Sequence, residues 1–337
     1  MAETSPIIIG DALRRRIEIT TGCRDSDAIP RIAGAGTVES FRGRTVQIMH
    51  NGLRVISGGY YGEWMVEVIR RLRGCHEPQE EIVFWEALKR LGDAPVMIEL
   101  GAYWSYYTGW FLKECPNGRA FCVEPDPNHL MTGQTNLELN GLHATFIQAS
   151  VAATPAAPAP FRCESDWQIR QVPAVSVDGL VRQHGMPQVD VLLCDAQGAE
   201  TAMLEGCLET IGAGKLRFVF ISTHHRTISG DPWTHERCLA RVLQLGGHVL
   251  AEHTVRESFS GDGLIAASFA ADDRHAPAIP ISFNRTKNSL WLQDDLDEYQ
   301  SFRAAITHAL RTGRRSLAKR LGLKRRDLGR PAGLPFI

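Results

Sequence analysis

Residues 96–102 read Val-Met-Ile-Glu-Leu-Gly-Ala, a short apolar run closed by a glycine. Such a run fits a buried strand, and the glycine marks the turn out of it. An alternation then begins, with helix predicted over 105–115, strand over Ala120–Glu124, helix over 127–140 and strand over Ala144–Ala149. This is the βαβαβ rhythm of a parallel sheet. It resumes with a helix from Val177 to about His184 capped by Ser176, strand Val189–Asp195, helix Ala199–Ile211 and strand Phe218–Thr223. A further helix opens at Asp231-Pro232, with the acid as cap and the proline just inside. Two last strands, His248–Thr254 and Gly263–Phe269, stand too close in sequence for a crossover helix, so they are expected to be antiparallel.

Upstream, Thr45–His50, Asn51-Gly52 and Leu53–Ile56 read as a hairpin, since Asn-Gly suits the two positive φ angles of a type I′ turn. Residues 62–74 and 79–91 carry apolar side chains at helical spacing, with Pro78 placed to start the second helix. The first 40 residues give no clear pattern. Residues 152–160, Ala-Ala-Thr-Pro-Ala-Ala-Pro-Ala-Pro, are expected to form an exposed loop of extended geometry. A dinucleotide-binding dehydrogenase would show three glycines after its first strand, whereas Glu99–Thr108 has only Gly101.

With 337 residues, 44% of them apolar and 22% charged, the chain is globular, and we read it as one α/β domain with extensions. The expected divisions are an N-terminal extension at 1–75, the main domain at 76–275 and a C-terminal extension at 276–337. Residues 301–337 hold ten Arg or Lys and one acid, Asp327, so the tail carries +9 and the remainder −10 of a net −1. An acidic body argues against a nucleic-acid partner. In the tail, Phe302, Ile306, Leu310, Leu317 and Leu321 are interleaved with the basic residues, the pattern of an amphipathic helix suited to peripheral membrane contact; a dimer-forming or solvated helix fits equally. Eight scattered cysteines without a CxxC pair, and no signal peptide or membrane span, point to the cytoplasm.

In an open α/β sheet, ligands bind beyond the carboxyl ends of the strands. The residues expected there are Glu99 and Gly101, Glu124, Gln148–Val151, Asp195 and Ser222–His225. A carboxylate such as Glu124 can accept hydrogen bonds from both hydroxyls of a ribose. At the end of the fifth strand, His224 is a candidate general base and Asp195 a partner able to orient it or share the task. A hard-cation site built from Asp195, Glu200 and His224 is a weaker possibility, because paired acids are lacking, and no metal is expected.

Four blocks together, Glu99-Leu-Gly-Ala, Val123-Glu-Pro-Asp-Pro-Asn, Asn136-Leu-Glu-Leu-Asn-Gly and Asp195-Ala-Gln-Gly-Ala-Glu, resemble the FkbM-type family of S-adenosylmethionine-dependent methyltransferases over roughly residues 60–270. His76-Glu-Pro-Gln-Glu and Phe220-Ile-Ser-Thr-His resemble a branch found with bacterial glycan genes. The resemblance implies a Rossmann-like class I methyltransferase fold with strand order 3-2-1-4-5-7-6 and strand 7 antiparallel. It also implies S-adenosylmethionine as cofactor, held by Glu99, Gly101, Ala102, Tyr103, Glu124, Pro125, Ala149, Ser150, Val151, Asp195 and Gln197. Three positions depart from the family pattern, with Tyr103, Ser105 and Gln197 standing where Asn, Gly and Glu are usual. The expected substrate is a small molecule or glycan methylated on a sugar hydroxyl, met by Tyr61, Trp104, His225 and Arg226. A non-catalytic protein that kept the fold is the alternative, and a homo-oligomer is compatible with either.

Overall fold

The computed structural model describes residues 10–285, 289–297, 299–300 and 303–304. Described residues up to Leu290 form one compact unit and those from Trp291 another, in which residues 292–297 are helical. Phe302, Ile306, Leu310, Leu317 and Leu321, the apolar residues of the expected basic helix, lie outside the described residues.

The N-terminal part contains α1 (Asp11–Gly22), then β1 (Val38–Phe41), β2 (Arg44–Ile48) and β3 (Arg54–Ile56), followed by α2 (Glu63–Arg71) and α3 (Pro78–Leu88). The central part runs β4 (Val96–Leu100), α4 (Tyr106–Glu114), β5 (Arg119–Val123), α5 (Pro127–Leu139), β6 (Thr145–Ile147), β7 (Ser150–Val151), β8 (Ala156–Arg162), β9 (Ile169–Val175) and α6 (Val177–Gln183). It continues through β10 (Val189–Cys194), α7 (Glu200–Glu205), α8 (Leu208–Gly212), β11 (Leu216–Thr223), α9 (Arg226–Ser229), α10 (Thr234–Gln244), β12 (His248–His253) and β13 (Gly263–Ser268).

Seven strands form the central sheet in the order β12-β13-β11-β10-β4-β5-β6. Pairs from β6 to β11 are parallel, while β13 runs antiparallel to both β11 and β12, as the short link between the last two strands requires. Side chains alternate between faces: Val96, Ile98 and Leu100 join one core cluster while Met97 joins the other, and Leu192 and Cys194 oppose Val191 and Leu193. Burial on both faces explains why these strands read as continuous apolar runs. On one face the cover includes the N-terminal elements, through Ile17, Met49, Leu53, Val55, Val68 and Leu72. The N-terminal extension thus supplies part of the core on that face.

Four local features differ from the sequence reading. The hairpin β2–β3 exists, but its loop spans three residues, with Met49 N donating to Leu53 O, and only Gly52 has positive φ. The two-residue turn with both φ angles positive is at Arg42-Gly43, between β1 and β2. Residues 156–162, which begin inside the expected loop and run past its end, form β8, the edge of a small sheet ordered β7-β9-β8. An edge strand tolerates proline because one side of its backbone needs no partner, and the pairing shifts register between Ala156 and Ala159. The helix expected over Ala199–Ile211 is split into α7 and α8. There, Asp178 N donates to Gly206 O, and its carboxylate accepts from Glu209 N and Thr210 N to start the second piece. The helix expected to open at Asp231-Pro232 begins at Thr234, with Asp231 accepting from Trp233 N.

Candidate active site

Two adjoining cavities open at the carboxyl ends of β4, β5, β10 and β11. The first, about 310 Å³, is lined by the loop after β4 (Gly101, Tyr103), the end of β5 (Glu124, Pro125, Asp126), Ser150 and Val151, Phe161, Arg162 and Glu164 of the β8–β9 hairpin, and residues 195–199. The second, about 230 Å³, is lined by Arg16 and Thr20 of α1, the segment around Tyr60, Tyr61 and Trp64, His76 and Glu77 before α3, and His224 and Asp262. Tyr60, Tyr61, Glu164, Asp195 and Gln197 belong to both walls.

In the first cavity, each oxygen of Glu124 accepts one backbone N–H, Oε2 from Tyr103 at 3.0 Å and Oε1 from Asp126 at 2.9 Å. A carboxylate oxygen has room for a second donor, so both oxygens can still receive a vicinal diol. Burial pushes this carboxyl up to about 7 against the pull of those N–H groups. Pro125, Val151 and Phe161 supply apolar surface for a flat base. Gly101 lets the loop press on the end of β10, where a Cβ would sit 1.8 Å from Asp195 O. The acceptor pair, apolar slot and close-lying backbone fit a nucleoside cofactor carrying a ribose.

Tyr103, Ser105 and Gln197, the three departures from the family pattern, all hold positive φ, at 36°, 54° and 36°. Side chains other than glycine are strained there. The Tyr103 ring turns onto His129, stacked at 3.6 Å. Gln197 Nε2 reaches Tyr61 OH at 3.3 Å, tying the two walls together.

Where the cavities meet, His224 is buried between carboxylates. Its Nδ1 lies 2.5 Å from Glu200 Oε1, and its Nε2 lies 3.0 Å from Asp195 Oδ1 and 3.8 Å from Asp262 Oδ1. Burial alone would depress this imidazole, but Asp262, Asp195 and Glu200 outweigh it and hold it well above its ordinary value. Both ring nitrogens are therefore occupied by carboxylates. The free ring nitrogen that a histidine base requires is not there, and the more accessible group is Asp195, whose side chain is 35% exposed against 3% for His224. Among the described residues, no group of three His, Cys, Asp or Glu is arranged to hold a metal ion.

Gly101, Tyr103, Glu124, Pro125, Ser150, Val151, Asp195 and Gln197 line the first cavity, and Tyr61 lines both. Glu99, Ala102, Ala149, Trp104, His225 and Arg226 line neither. Glu99 is buried beneath the loop, accepting from Thr108 N in α4, and burial pushes it up to about 8. Ala102 and Ala149 are buried in the packing behind the wall. Trp104 stacks flat behind Tyr60 at 4.4 Å. His225 caps α9, accepting from Thr227 N, and Arg226 is the first residue of that helix. The sequence reading missed Arg16, Tyr60, Glu77, Glu164 and Asp262. Leu13 and Ile17, four residues apart, carry the helical spacing that could have placed Arg16, and Gly261 and Gly263 bracket Asp262 in a turn.

Residues 92–249 match the family model of the methyltransferase FkbM domain. The chain carries a methyltransferase FkbM domain. It is a methyltransferase with S-adenosylmethionine as its cofactor, and the FkbM domain provides every described residue of the first cavity except Tyr60 and Tyr61. No curated protein matches the chain. Among solved structures it is similar to a precorrin-6y C5,15-methyltransferase from Geobacter metallireducens GS-15 (16% identity, 56% of this chain and 87% of that one, TM-score 0.36). It is similar also to a SAM-dependent methyltransferase from Aquifex aeolicus (11% identity, 56% and 89%, TM-score 0.34) and to TrmK of M. capricolum bound to S-adenosyl-homocysteine (11% identity, 61% and 71%, TM-score 0.33). No helix among the described residues is long and apolar enough to cross a membrane.

Proposed function

We propose that the protein methylates a hydroxyl of a sugar, in a glycan, a glycolipid or a glycosylated natural product, with Asp195 as the general base. The observation that carries this reading is the position of Asp195, a carboxylate on the wall of both cavities, fixed by His224. In this reading the first cavity holds the cofactor, with Glu124 on the ribose hydroxyls, and the second holds the acceptor. S-adenosylmethionine, when bound, supplies an electrophilic methyl group. Asp195 receives the proton that the acceptor hydroxyl loses, and His224 and Glu200 are positioning residues that keep its carboxylate aimed at the junction. The acceptor wall suits a sugar because Tyr60, Tyr61 and Trp64 offer broad apolar faces, while Glu77, Glu164 and Asp262 accept hydrogen bonds from hydroxyls.

The test is incubation of the purified protein with methyl-labelled S-adenosylmethionine and panels of sugars, sugar acids and non-sugar alcohols. A labelled methyl ether on a sugar oxygen is expected. Label appearing only on non-sugar alcohols, or only on nitrogen, would overturn the proposal.

A further inference from the structure

The acceptor cavity contains the same arrangement twice. Glu200, His224 and Asp195 form one row from the interior to the wall, and Glu81, His76 and Glu77 form another. His76 Nδ1 lies 2.9 Å from Glu81 Oε1, and its Nε2 lies 3.3 Å from Glu77 Oε2. In each row the inner glutamate is 0% exposed and has an Oε2 with no hydrogen-bond partner. Each histidine is buried as well, and each outer carboxylate lines the acceptor cavity.

The second row is not explained by stability or by the cofactor. A buried ion pair gives little net stability over apolar packing, yet this one sits among the rings of Tyr60, Trp104, Tyr106 and Tyr107. Glu77 lines the acceptor cavity and not the cofactor cavity. Tyr107 OH donates to Glu77 Oε2 at 3.2 Å, so the carboxylate is fixed from a second side. Burial would raise this carboxyl, but His76 and Tyr107 bring it below its usual range; burial would likewise lower His76, which Glu77 and Glu81 push up to about 10. The row delivers a fixed negative charge to the cavity wall. An ionised carboxylate only accepts hydrogen bonds, so it selects a ligand group that donates.

We propose that Glu77, held by His76 and Tyr107, is a second anchor of the acceptor, accepting a hydrogen bond from a neighbouring hydroxyl or ammonium while Asp195 meets the hydroxyl that is methylated. The inference rests on the assignment of the second cavity to the acceptor. It makes the acceptor a diol or an amino alcohol and disfavours one bearing a carboxylate at that point.

Two probe pairs test it, each with S-adenosylhomocysteine saturating and tryptophan fluorescence as readout: glucosamine against glucuronate, and ethanolamine against glycolate. Wild type is expected to bind glucosamine at least about tenfold more tightly than glucuronate. In Glu77→Gln that ratio is expected to fall close to one, with S-adenosylhomocysteine affinity unchanged, a split that a merely structural loss would not give. Should Glu77→Gln not fold, Glu77→Asp keeps the charge beside His76 but withdraws the carboxylate, and is expected to show a reduced preference. A preference that survives the substitution, a wild type without preference, or binding of neither pair overturns the inference. A Glu77-dependent preference for ethanolamine without any sugar binding would sustain the anchor and defeat the sugar acceptor.

Discussion

The two cavities share Asp195, yet they are assembled from different parts of the chain. The cofactor side comes mainly from strand ends of the parallel sheet, at residues 101–103, 124–126 and 195–199, with Ser150, Val151 and the β8–β9 hairpin of the small sheet beside them. The acceptor side draws on α1, the loop before α2 and the start of α3, elements that precede the sheet, and on the ends of β11 and β13. In the first, a carboxylate is satisfied by backbone N–H groups, as Glu124 is by Tyr103 and Asp126. In the second, carboxylates are satisfied by buried histidines, and the charge reaches the wall through side chains. A cofactor can be met by backbone geometry that the sheet itself sets, whereas side chains on elements outside the sheet can change without disturbing it.

Substitutions on the two sides are accordingly expected to separate. The largest effect is expected at the junction, where Asp195→Asn removes the proposed base and is expected to lower turnover by about 10³-fold. S-adenosylhomocysteine affinity, read by calorimetric titration, should change little, and undiminished turnover would reduce Asp195 to part of the wall. Glu200→Gln keeps a contact to His224 but removes its buried charge, and a loss of about 10²-fold in turnover is expected. Steady-state kinetics should assign that loss to kcat rather than to the KM of the cofactor. On the other side, Glu124→Ala is expected to weaken S-adenosylhomocysteine binding by about 10- to 100-fold, as the ribose loses its charged acceptor. Equal affinity in the variant would place the ribose elsewhere.

The smallest expected effect concerns stability. Glu99 is pushed up to about 8 by burial, so the folded state binds its proton more tightly than the unfolded chain, whose value is that of an ordinary glutamate. Its contribution is complete at low pH and is lost as pH rises through about 8. Glu99→Gln, which keeps an acceptor for Thr108 N, should therefore melt close to wild type at pH 5 and about 2–4 °C above it at pH 9. A uniform drop at both pH values, seen by calorimetry, would mean that the carboxylate is favourable even when ionised.

The cofactor side was the more legible in the sequence because its residues sit where apolar runs stop: Gly101, Glu124 and Asp195 each follow directly on a strand. Their distance from one another in the chain is bridged by a sheet whose rhythm is regular. Glu99 was misplaced because alternation within β4 turns it under the loop instead of into the cavity. The acceptor side was harder to read. Arg16 lies on a helix whose apolar stripe is short, and Glu77 reads as a helix-start acid until the fold brings it to Asp195's cavity. His224 was found by its place at a strand end. Its occupied nitrogens became visible only with Glu200 in view, because a contact across 24 residues has no local signal.

The division of labour between the cavities is the central claim, and a crystal structure with S-adenosylhomocysteine tests it most directly. The ligand is predicted to lie in the first cavity, with its ribose hydroxyls on Glu124, its adenine against Val151 and Phe161, and its sulfur facing Asp195. The second cavity should remain open beside it. A ligand seated among Trp64, Glu77 and Asp262, or one that leaves Glu124 without a ribose contact, would contradict the account.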